Sequence, residues 1–127
     1  MRLPPLALVA AMLAGGCALA PAPSPGLMDV AERPAEKALL AGMRAYDDGQ
    51  YVAAEAQLKQ ALATGLASPR DRAAAHKHLA FIYCTSQRVP ACEAEFRAAQ
   101  RDDPAFMLSR AEAGHPLWGP VWLKSRN

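Results

Sequence analysis

The sequence has little of what a β-sheet needs. Across 127 residues it holds five valines and one isoleucine, and aromatic residues make up 6%. β-Branched and aromatic side chains are the ones that fit a pleated surface, so their scarcity excludes a β-sandwich or barrel and opposes a parallel α/β sheet. Serines are few, and no Gly-x-Ser-x-Gly elbow or phosphate-binding loop occurs. The chain also lacks a concentrated charge: 14 basic and 12 acidic residues are scattered along it, for a net +2. No stretch is basic enough for nucleic acid. What is abundant is alanine, 29 residues, and leucine, 15. Both enter helices at small cost. One small all-α domain follows.

Residues 1–16 have the build of a secretory signal peptide. Arg2 precedes the apolar run from Leu6 to Leu13, then come Ala14, Gly15, Gly16 and Cys17. The uncharged stretch from Leu3 to Ala20 is 18 residues long, just enough for a spanning helix. Pro4, Pro5, Gly15 and Gly16 oppose that alternative. The segment Leu13-Ala14-Gly15-Gly16-Cys17 resembles the lipobox of bacterial lipoproteins, with Ala14 where that family usually carries Leu. The resemblance implies that Cys17 is lipidated and becomes the first mature residue, so that acyl chains anchor the protein to a membrane. Ala18 stands where lipoproteins kept in the inner membrane carry Asp, which implies the periplasmic face of the outer membrane. A competing cleavage at Ala18 and Ala20 would discard Cys17 and leave a soluble periplasmic protein, and an inner-membrane anchor is the other alternative. Residues 17–34 hold four prolines and read as an extended tether.

The folded part, residues 35–107, shows a repeat. Apolar positions 39, 40, 43 and 46 share a helix face within Glu36–Asp48. Asp47-Asp48-Gly49-Gln50 is a turn by composition, and a second helix runs from Tyr51 to Ala63, ended by Gly65. Pro69 suits a helix start. A third helix covers Arg70–Cys84 and a fourth Pro90–Arg101, stopped by Asp102-Asp103-Pro104.

Both hairpins follow the tetratricopeptide pattern. In the second, His76, Leu79, Ala80, Tyr83, Cys92, Phe96, Ala99 and Pro104 stand in the consensus places, with His for Trp, Ala for Gly and Cys for Ala. Gly42, Ala54, Leu58 and Ala61 do so in the first, which has Ala38, Ala41 and Ala45 for the large residues and Leu66 for the closing proline. The alternative is an Ala-rich helical bundle with no repeat ancestry. Ala54 and Cys92 are 92 − 54 = 38 residues apart, against a family period of about 34. That requires an insertion of about four residues near Thr64-Gly65-Leu66-Ala67. The pattern predicts that Gly42/Ala54 and Ala80/Cys92 let paired helices approach, with Leu58, Tyr83 and Phe96 filling the space between hairpins. Because two repeats fall short of the usual three, residues 108–127 are expected to cap the stack. Ser109 and Glu112 form a capping-box signature, Gly114 suits a helix end, and Trp118 at least is expected to pack on the last repeat.

A narrower resemblance then appears. Ala45-Tyr46-Asp47-Asp48-Gly49, the stretch Ala75–Cys84, Glu95-Phe96-Arg97 and Ala111–Val121, with its Gly-His-Pro-Leu-Trp-Gly-Pro ending, are similar to the small tetratricopeptide lipoproteins associated with type VI secretion systems. The resemblance implies a non-catalytic envelope accessory that binds a protein partner, with no cofactor, no metal and no small-molecule substrate. The alternative is a general outer-membrane-assembly or cell-wall-associated lipoprotein of the same repeat class.

Few residues invite chemistry. Cys84 and Cys92 flank a hairpin turn symmetrically about Arg88 and are expected either to form a disulfide in an oxidising compartment or to remain two buried thiols. His76 and His78 are two apart on a helix and point away from each other, so they do not form a metal site. His76 reads instead as a packing or hydrogen-bonded histidine. A concave binding strip is expected from the first helix of each pair, exposing Leu39, Met43, Tyr46, Lys77 and Phe81. The tail carrying Trp118 and Trp122 either fills that strip or is itself a partner-binding motif.

Overall fold

A computed structural model describes Gly26 and residues 33–127. The signal peptide, Cys17 and nearly all of the tether lie outside the described residues. No described helix is long and apolar enough to cross a membrane.

The described chain is all helical, with no strand among the described residues. Its elements are α1 (Pro34–Asp47), α2 (Tyr51–Thr64), α3 (Pro69–Thr85), α4 (Val89–Asp102), α5 (Arg110–Ala113) and α6 (Gly119–Ser125). Helices α1 and α2 form one antiparallel hairpin and α3 and α4 a second, the second hairpin stacking on the first through α3. The short α5 and α6 close the far end, α6 against α4.

Local chemistry explains the boundaries. Pro34, Pro69 and Pro90 each occupy the first turn of their helix, where the missing N–H is not needed. Ser68 caps α3 by accepting from the Asp71 N–H at 3.3 Å. The first turn is made by Gly49, whose φ of 73° favours glycine. The corresponding turn of the second hairpin places Gln87 at φ 62°, a left-handed residue without glycine. Helix α1 starts at Pro34, ahead of the expected Glu36. A proline at the first helical position sets φ in advance and loses nothing there, so the helix extends back to it.

Small residues set the packing. A Cβ built on Gly42 would lie 2.8 Å from Cγ of Leu58 and 3.2 Å from its backbone nitrogen, so α1 and α2 touch there. Ala54, Leu58, Ala80, Cys92 and Phe96 are all fully buried. Leu58 packs against Gly42 of the first hairpin, and Phe96 lies against Phe81 and Trp122. Tyr83 does serve that junction: the Arg88 guanidinium sits 4.3 Å from its ring centroid and donates to Glu55 of α2 at 2.8 and 3.2 Å. The inserted linker is also built in. Leu66 is buried, and its carbonyl accepts from Arg72 at 2.9 Å.

Candidate functional site

The strip formed by α1 and α3 is not open. Leu39 and Phe81 are 6% and 4% exposed, which corrects the expectation that they line a free groove. Met43, Tyr46 and Lys77 are half-buried. Tyr46 meets Tyr51, His78 and Phe81 ring to ring at 5.2 to 6.3 Å. His78 is buried beside it and donates from Nδ1 to the Ala74 carbonyl at 2.7 Å. Burial pulls its pKa below the ordinary histidine value.

What covers Phe81 is the tail. Trp118 stacks on it, and His115 stacks on the other face of Trp118 with planes inclined by 4°. The Trp118 Nε1–H donates to the Glu112 carbonyl at 2.8 Å, so its one polar atom is satisfied while the ring is buried. The capping box expected at Ser109 and Glu112 is formed, each side chain reaching the other's backbone N–H. From that fixed turn Glu112 accepts from Lys77 at 2.8 Å. Burial pushes the Glu112 carboxyl up, but the bonds from Lys77 and Ser109 outweigh it and hold the group below its ordinary value. A Cβ on Gly119 would run into the Ala113 carbonyl, so the chain turns there only because that side chain is absent. Pro120 then opens α6, and Trp122, 2% exposed, packs edge-on to Phe96 and Phe106.

Beside the filled strip a cleft of about 590 Å³ stays open, lined by Arg70, Ala74 and Lys77 of α3 and by Asp103, Ala105, Phe106 and Met107 of the loop after α4. Met107 is 56% exposed there. Cationic, anionic and apolar groups meet in this cleft, which suits an extended polypeptide better than a rigid apolar ligand. The sequence reading found Lys77 on this helix face but not Arg70 or Met107. Arg70 shares the face at i, i+7 with Lys77 and was legible in that spacing; Met107 reaches the cleft through a loop that no periodicity describes.

Other polar groups hold the fold together. His76 faces Glu95 through Nδ1 and Asp102 through Nε2, the latter at 3.2 Å. Both carboxylates belong to α4, so His76 joins the two helices of its hairpin, and Arg72 reaches Asp102 at 3.4 Å. No group of three or more His, Cys, Asp or Glu among the described residues is arranged to hold a metal ion. Cys84 and Cys92 are joined as a disulfide, with Cα atoms 5.2 Å apart across the second turn. In comparisons with known proteins, no family model, no curated protein and no solved structure matches the chain.

Proposed function

We propose that this protein is a non-catalytic adaptor lipoprotein, anchored through Cys17 to the periplasmic face of the outer membrane and binding a protein partner as an accessory of a type VI secretion system. The observation that carries the reading is the open cleft between α3 and the 103–107 loop, with Arg70 and the exposed Met107 on its walls. A cleft of mixed polarity on a helical stack is a peptide-docking shape. The disposition of reactive side chains supports the non-catalytic part: His76 lies between two carboxylates, Lys77 is paired with Glu112, and the two cysteines bond each other. The disulfide suits an oxidising compartment outside the cytosol. The lipobox-like Cys17 and the Gly-His-Pro-Leu-Trp-Gly-Pro tail add the anchor and the secretion-system association by resemblance.

Two measurements in cells test this. Radiolabelled palmitate should be incorporated by the full chain and not by Cys17→Ser. A photo-crosslinker at Met107 should form adducts with an envelope component of the secretion machine. Unlabelled protein, with adducts only to barrel-assembly or cell-wall proteins, would sink the reading.

A further inference from the structure

The outer face of α4 and the end of α6 carry four cations, Arg97, Arg101, Lys124 and Arg126, and two of them pair with one carboxylate. Glu93 accepts from Arg97 at 2.7 Å and from Lys124 at 2.9 Å, so one acid holds a cation from each helix. The Lys124 ammonium keeps the Glu93 carboxyl below its ordinary value. Arg101 lies one turn beyond Arg97 and forms no ion pair among the described residues. Arg126 follows the end of α6, its guanidinium 5.5 Å from the Trp122 ring centroid. Two shallow hollows of about 380 Å³ each open on either side of the Arg97–Arg101 ridge, one toward Ser125 and the other toward Pro90. Leu123, 61% exposed, neighbours Lys124 on the same short helix. The surface shares no residue with the Arg70–Met107 cleft.

We infer that this ridge docks an acidic helical segment of a protein partner, with carboxylates one turn apart. The inference rests on the adaptor reading above and names the chemistry of a partner. Arg97 and Arg101 are neighbours at i, i+4, the spacing at which a second helix presents Glu side chains on one face. A guanidinium takes a carboxylate through two parallel hydrogen bonds, and arginine is favoured in interface cores for that reason. The hollows beside the ridge are open to side chains of such a segment. A flat lipid surface has no side chains to place in the two hollows, so a shaped segment fits better.

The test uses the full chain in detergent and a labelled helical peptide with Glu at i, i+4 repeats, its Gln counterpart, its Lys counterpart and phosphatidylglycerol vesicles. The Glu peptide should bind at least tenfold more tightly than the Gln peptide. Arg97→Glu with Arg101→Glu should weaken the Glu peptide at least tenfold and gain the Lys peptide. Lys37→Glu with Arg44→Glu, the same charge change on α1, should leave the Glu peptide within twofold. Arg101→Gln with Arg126→Gln leaves the Glu93 pairs intact and should weaken binding even if the reversed variant unfolds. Equal weakening by the α1 variant, failure of the charge swap, or binding to vesicles without binding to the peptide would each overturn the inference. In cells, adducts from a crosslinker at Met107 with none at Ala94, which lines the hollow beside the ridge, sink this surface alone; none at either position sinks the adaptor reading too.

Discussion

Trp118 lies face to face with Phe81, ring centroids 4.1 Å apart and planes inclined by 21°. The pair joins the last segment of the chain to the middle of α3 and closes the strip that the two hairpins would otherwise leave open. With His115 stacked on the indole as well, the contact is a three-ring stack in which Phe81 and Trp118 are buried and His115 is half-buried. It has consequences for stability and for access to the strip.

Trp118→Ala removes the stack and the bond to the Glu112 carbonyl, and we expect a loss of about 3–5 kcal/mol in urea unfolding. Trp118→Phe, which keeps a ring on Phe81 and loses the N–H bond, should cost less than half as much. If Trp118→Ala cost under about 1 kcal/mol, below the usual price of a core truncation, the tail would not be seated in solution.

Gly119→Ala tests the same seat from the backbone side. Its methyl would meet the Ala113 carbonyl, which is backbone and cannot rotate away. The expected destabilisation is about 1–3 kcal/mol, with Trp122 fluorescence shifting toward that of an exposed indole.

The disulfide closes a sequence separation of 8, and constraining so short a loop stabilises by about 2.5 kcal/mol. Reduction should lower the urea midpoint of the native chain. Cys84→Ala with Cys92→Ala should start from the lower midpoint and show no response to reductant; equal midpoints before and after reduction would exclude a stabilising bond.

The hydrogen bond from Arg88 holds the Glu55 carboxyl down to about 2, against an ordinary 4.5, with Lys59 adding to the effect against the opposing push of burial. A carboxyl depressed on folding contributes stability that is present above its unfolded value and is lost as pH falls through its folded one. Native protein should therefore melt above Glu55→Gln at neutral pH, with the gap closing between pH 4.5 and 2. Because Arg88 links the second turn to α2, a gap that stays constant with pH would mean the inter-hairpin bridge carries no charge dependence.

The helices were legible because their punctuation is local. Pro69 and Pro90 sit at helix starts, Gly49 and Gly65 at ends, and alanine between them offers no competing structure. The second turn hides its left-handed position in Gln87, where no glycine announces it. Helix α6 was obscured by Pro120, which reads as a breaker but falls in the first turn, where it is tolerated. Surfaces were harder. Leu39 and Phe81 do face the strip, yet whether a facing position meets water depends on where residues 115–122 fold back. The partners of His76 lie 19 and 26 residues away on another helix, beyond any spacing rule. Arg97, Arg101, Lys124 and Arg126 look like scattered charges until α6 lies along α4.

The seat of Trp122 is made by Phe96 and Phe106, both belonging to the second hairpin and its exit loop. A further hairpin could not stack on this face of α4 while Trp122 and α6 occupy it. A unit inserted before Ser109 would keep the seat only by presenting an aromatic where Phe96 now stands. The plug thus dictates the direction in which the architecture can lengthen.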